Sequence, residues 1–142
     1  SADILIVSVG AMASLAVEAA AQAYREGVGV TVIDPRWVKP LAPAILTMAQ
    51  RYAHVVVIED GIRRAGIASA LAESMRDAGI DVPVHSIGIP LTFIEHSKRA
   101  EILQDLGITG QKIARSLVEL RSTGELPIME EMPRPADESV GQ

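Results

Sequence analysis

Four short runs rich in β-branched and aliphatic residues, at 4–9, 28–34, 54–59 and 82–89, recur along the chain. Each is separated from the next by a longer stretch with helical spacing. The first run is continuous and apolar, closed by Gly10, as expected of a strand covered on both faces. The spacing predicts a helix over 14–26, with Ser14 as cap, Leu15, Ala16, Ala19, Ala20 and Ala23 on one face, and Gly27 as its stop. A second helix over 43–53 opens on Pro43, which suits a first turn, and turns Ile45, Leu46 and Ala49 inward. A third over 66–78 carries Ile67, Leu71, Met75 and Ala78 at helical spacing and ends at Gly79. Pro83 falls near the start of the fourth run, where a proline costs least. Thr92-Phe-Ile-Glu95 reads as a capping box. A further helix over 98–106 stops at Gly107, and Thr109 caps a last one with Ile113, Leu117 and Leu120 as its buried stripe. Strands alternating with helices predict an α/β fold with a largely parallel sheet and helices on both faces, a three-layer α/β/α sandwich.

Composition narrows what such a domain can do. The 142 residues suit one domain. Hydrophobic residues make up 49% but aromatics only 3%, so the core has to be built from Ala, Val, Ile and Leu. There is no cysteine, which excludes disulfides, a thiolate nucleophile and a cysteine-held metal, and fits a reducing, cytoplasmic setting. No apolar run approaches the roughly 20 residues of a membrane span. Ser1-Ala2 leads almost directly into the first strand, as expected of a piece cut from a longer chain. Most of the net charge of −5 lies in residues 124–142, where Glu125, Glu130, Glu131, Asp137 and Glu138 face only Arg134. That segment, with Pro127, Pro133 and Pro135, reads as an acidic mobile tail beyond a domain of residues 1–123. The near-neutral body gives no electrostatic reason to bind nucleic acid.

Ligands of open parallel sheets gather outside the carboxyl ends of the strands. Gly10, Asp34, Glu59, Asp60 and Gly88 mark those ends here. The segment after the first strand is not Gly-x-Gly-x-x-Gly, and no Gly-Lys-Ser or Gly-Lys-Thr occurs. Glu59 and Asp60 would put negative charge where a phosphate sits. They could act as a general base, but acids ahead of a helix more simply stabilise its positive end. Asp34 and Arg36 read as a local ion pair. His54, His85 and His96 belong to different elements without metal-ligand spacing, so His54 and His85 read as hydrogen-bonded structural residues. No serine sits in a Gly-x-Ser-x-Gly elbow. Arg63 and Arg64, in a strand-to-helix loop, could meet a partner or an anion. Trp37, between Pro35 and Pro40, could anchor a neighbouring domain or plug its own core. Trp37, Glu59, Asp60, Arg63 and Arg64 are thus the candidate interface residues; no catalytic, cofactor-binding or metal-binding residue is assigned.

Three stretches together carry a family pattern. They are Gly29-Val-Thr-Val-Ile-Asp-Pro-Arg-Trp-Val-Lys-Pro-Leu41, then Val55-Val-Val-Ile-Glu-Asp-Gly61, then Ile87-Gly-Ile-Pro-Leu-Thr-Phe-Ile-Glu-His96 followed by Asp105-Leu-Gly-Ile-Thr109. Over about residues 3–122 the chain resembles the C-terminal domain of transketolase-type thiamine-diphosphate enzymes, and the block from Ile87 to Thr109 is most similar to the 1-deoxy-D-xylulose-5-phosphate synthases. The resemblance implies a five-stranded, mostly parallel sheet with one antiparallel edge. It also implies a homodimeric, isoprenoid- and thiamine-pathway transferase that joins pyruvate to glyceraldehyde 3-phosphate. In that family thiamine diphosphate and Mg²⁺ are held by two preceding domains, absent here, while this domain serves assembly. The family's metal clamp is a Gly-Asp-Gly motif with a downstream asparagine. This chain has no asparagine, and Glu59 precedes Asp60-Gly61, so no cofactor is expected on this fragment alone. Where the family has Gly-Gly-x-Gly, Ala65-Gly66-Ile67-Ala68 stands, and ordinary backbone angles are expected at Ala65 and Ala68. Two other readings are the C-terminal docking domain of a 2-oxo-acid dehydrogenase β subunit, and a free-standing ligand-binding protein with its cleft near Gly10 and Gly88.

Overall fold

A computed structural model of the chain describes residues 3–8, 13–35, 41–60, 67–89, 101 and 108–127. Four strands and four helices alternate along it. They are β1 (Ile4–Ser8), α1 (Ala13–Arg25), β2 (Val30–Ile33), α2 (Leu41–Ala49), β3 (His54–Asp60), α3 (Ile67–Asp77), β4 (Val84–Ile89) and α4 (Gly110–Thr123). The strands lie in the order β2-β1-β3-β4, and every pair is parallel. The parallel α/β architecture expected from the alternation is therefore present. Neither a fifth strand nor an antiparallel one occurs among the described residues.

Side chains alternate across a strand, so each strand serves two apolar clusters. Ile4, Ile6, Val56, Ile58 and Ile87 pack with Ala16, Ala19 and Ala23 of α1 and with Ile113, Ala114, Leu117 and Leu120 of α4. Leu5, Val7, Val55 and Val57 pack with Ile45 and Ala49 of α2 and with Leu71 and Met75 of α3. The alanine stripe of α1 lets α4 lie close. At Gly110, in the first turn of α4, an added Cβ would fall 2.6 Å from the Glu18 side chain.

Two helix ends share one stop, and its chemistry is local. Gly27 and Gly79 take φ of 87° and 75°, which a side chain would oppose. After α1, Gly27 N donates to Tyr24 O and Val28 N to Ala23 O; after α3, Gly79 N donates to Arg76 O and Ile80 N to Met75 O. Both patterns are Schellman motifs. Each drops an aliphatic residue, Val28 or Ile80, back onto the core under its own helix. This is why β2 begins at Val30 and not at residue 28: the first two residues of that run belong to the cap and the turn. At α4, Thr109 caps the start by accepting from Lys112 N, and Gly124 (φ 82°) closes the end by donating to Leu120 O.

Several boundaries differ from the sequence reading. The second helix stops at Ala49 instead of 53, because Ala53 N and His54 N both donate to Asp3 O and are claimed by the sheet. Pro83 precedes β4 and only accepts, through its carbonyl, from Val55 N. Leu126, placed in the tail by its neighbours' composition, is 8% exposed and belongs to the α1–α4 cluster. Ala68 has the helical backbone expected of it, inside α3. Arg36, Ala65, the capping box at Thr92–Glu95, His96, most of 98–106 and residues 128–142 lie outside the described residues. No helix among the described residues is long and apolar enough to cross a membrane.

Candidate functional site

The strand order fixes where a site could form. From β1 the chain crosses to β2 on one side and then returns to β3 on the other, so β1 and β3 flank the topological switch point. Their carboxyl ends carry Ser8, Glu59 and Asp60, with Gly88 of β4 paired to Glu59. Glu59 is 3% exposed, and its Oε1 accepts from Ser86 Oγ at 3.4 Å. Val57 and Ser86 are partners in the ladder, so Ser86 and Glu59 share the face that packs on α2 and α3. The carboxylate thus points into the domain, a place the sequence reading did not foresee for a residue it put on an interface. Ser8, fully buried, has a hydroxyl with no hydrogen-bond partner among the described residues. Asp60 closes β3 opposite Ile89. Trp37, Arg63, Arg64 and Gly10 lie outside the described residues.

The opposite, amino-terminal edge holds the second polar cluster. Asp3 ties three segments together there. Its N donates to Gly29 O, its Oδ2 accepts from Gly29 N at 2.8 Å, and its O accepts from Ala53 N and His54 N. Its Oδ1 lies 3.6 Å from Nε of Arg121, near the end of α4. Beside this junction, His54 of β3 and His85 of β4 meet on one face of the sheet, with His54 Nδ1 3.2 Å from His85 Nε2. The ring centroids are 5.3 Å apart and the planes tilted by 47°. Both rings are half-buried. Burial lowers the pKa of His54 below the ordinary 6.5, and that of His85 is lowered by burial first and then by the charge of His54. The expectation of hydrogen-bonded histidines holds, but each has the other as its partner. The signal was present in the sequence only as two histidines near the starts of successive strands.

A thiamine-diphosphate and Mg²⁺ clamp does not fit these residues. The chain has no asparagine amide to offer, and the acid at the strand end is buried behind Ser86. Among the described residues no group of three or more His, Asp or Glu could surround a metal ion.

Comparison with known proteins gives the family directly. The sequence profile of the transketolase C-terminal domain matches residues 1–113. The 1-deoxy-D-xylulose-5-phosphate synthase 2 of Streptomyces coelicolor is 46% identical over 83% of this chain and 18% of that protein. The 1-deoxy-D-xylulose-5-phosphate synthase of Frankia casuarinae is 40% identical over 99% of this chain and 22% of its own length. That of Leifsonia xyli is 44% identical over 92% and 20%. Among solved structures, a chain described as a split-gene transketolase, inactive β4 tetramer, superposes with a TM-score of 0.65 at 27% identity, over 87% of this chain and 40% of that one. The chain spans about a fifth of the length of the curated relatives it matches. Matched by profile over most of its length and by sequence to these synthases, the chain belongs to the transketolase C-terminal domain family.

Proposed function

We propose that this chain is the C-terminal assembly domain of an enzyme that acts as a 1-deoxy-D-xylulose-5-phosphate synthase. The parent would condense pyruvate with glyceraldehyde 3-phosphate using thiamine diphosphate and Mg²⁺, a cytoplasmic transferase step feeding isoprenoid and thiamine synthesis. The observation that carries this reading is identity of 40–46% to synthases of that name over 83–99% of the chain. The cofactor and metal belong to the rest of the parent chain, because these residues do not supply the clamp. The isolated domain is accordingly non-catalytic. In this reading the whole domain is a three-layer sandwich, which the two apolar clusters on opposite faces of the sheet support, and a fifth, antiparallel edge strand follows from the family resemblance alone. It extends to Leu126, and the acidic tail follows.

The domain's work in this reading is contact with the preceding domains and with a homodimer partner. Trp37, Glu59, Asp60, Arg63 and Arg64 are assigned to that contact, with Glu59 and Asp60 at the carboxyl end of β3. The related transketolase chain described as an inactive β4 tetramer supports a domain that associates without being catalytic by itself. The test compares two proteins in the presence of thiamine diphosphate, Mg²⁺, pyruvate and glyceraldehyde 3-phosphate. The parent chain should form deoxyxylulose phosphate and the 142-residue chain none. Turnover by the short chain would overthrow the assignment, and so would a parent inactive with these substrates but active with another pair.

A further inference from the structure

We propose that His54 and His85 form a two-histidine site for a zinc-class transition-metal ion at the amino-terminal edge of the sheet, apart from any thiamine chemistry and independent of the parent's reaction. The spacing of the two ring nitrogens suits two ligands on one ion. With metal–nitrogen bonds of about 2.0–2.1 Å, nitrogens 3.2 Å apart subtend roughly 100–105° at the metal, near the tetrahedral angle. The position is fixed by the sheet and not by flexible loops. Val56 and His85 are register partners, so His54 and His85 project from adjacent strands on the same face, one diagonal step apart. Both rings are half-buried, so neither is sealed from solvent.

The donors also suit this class of ion. Neutral imidazole favours Zn²⁺, Cu²⁺ and Ni²⁺, whereas Mg²⁺ prefers oxygen. Burial holds both rings neutral near pH 7, the form a metal needs. Binding asks only that the proton shared between Nδ1 of His54 and Nε2 of His85 move to an outer nitrogen, with no net proton released. Of the charged groups on adjoining segments, Asp3 ahead of β1 is engaged by Gly29 and Arg121, and Asp81 lies ahead of β4. With no third protein ligand among the described residues, water completes the shell and the ion exchanges readily.

The experiment is a ZnCl₂ titration of the EDTA-stripped chain at pH near 7.5, read by NMR on the imidazole C–H resonances. These are assigned with His54→Gln, His85→Gln and His96→Gln variants. The expected result is a saturable, joint shift of the His54 and His85 resonances at one ion per chain, with no response to Mg²⁺ at the same concentration. Either glutamine variant at the pair should abolish the shift of its remaining member while its amide spectrum stays folded. Unmoved His54 and His85 resonances at saturating Zn²⁺ overturn the proposal in the native chain alone, whatever the variants do. A zinc response that survives in the folded His85→Gln chain overturns it too, by placing the ion elsewhere.

Discussion

His54 and His85 sit on neighbouring strands with each other for a ring partner, and this has a pH consequence in metal-free buffer. Both folded pKa values lie below 6.5, so between those values and 6.5 the unfolded chain binds more protons than the folded one. Stability from the pair is therefore complete above about pH 6.5 and is lost as pH falls through that value toward the lowered ones. Urea midpoints measured in EDTA should drop between about pH 7.5 and 5.5, and the drop should be smaller in a His54→Gln, His85→Gln double variant. Equal drops in both proteins would show that the pair contributes nothing to the pH dependence. Glu59 teaches the complementary lesson. Its place beside Asp60 at a strand end suggested a surface acid, yet strand parity turns it inward toward Ser86, whose hydroxyl donates to it.

At the scale of elements, stops were legible and starts less so. A glycine after a helical stretch announces a left-handed residue whatever surrounds it, and Gly27 and Gly79 both took that conformation. Thr109, read as a cap, is one. No added side chain at Gly79 would meet a neighbouring atom, so Gly79→Ala tests the backbone alone. It should cost about 1 kcal/mol, measured as a lower urea midpoint at an unchanged slope. A neutral result would mean that the turn can be rebuilt with negative φ. The end of α2 lacked such a signal, because what terminates it is a pair of amide hydrogen bonds to Asp3, some 50 residues away in sequence. The first residues of the second apolar run left β2 for a local reason, the cap and turn around Gly27.

The described residues are held by two clusters that share one sheet, and Leu126, near their carboxyl end, belongs to the larger of them. Leu126 closes the α1–α4 cluster after the chain has turned at Gly124. A chain ending at residue 127 should keep the unfolding midpoint of the full chain. One ending at 123 should lose roughly 1.5–3 kcal/mol, the worth of a buried leucine, together with the Gly124 cap. Chemical denaturation of the two truncations checks this, and equal stability would show Leu126 to be a passenger.

Read alone, the sequence determined the class of fold, the stops and the family. Strand runs, helical spacing, glycine caps and motif order are each written within a few neighbouring residues. The want of an asparagine was legible in the same way. Which distant residues meet was settled by the fold: His54 with His85, Glu59 with Ser86, Asp3 with Arg121, Leu126 with the α1–α4 cluster. Those meetings depend on strand order and register, and a shift of one residue in a strand reverses the face of every side chain on it.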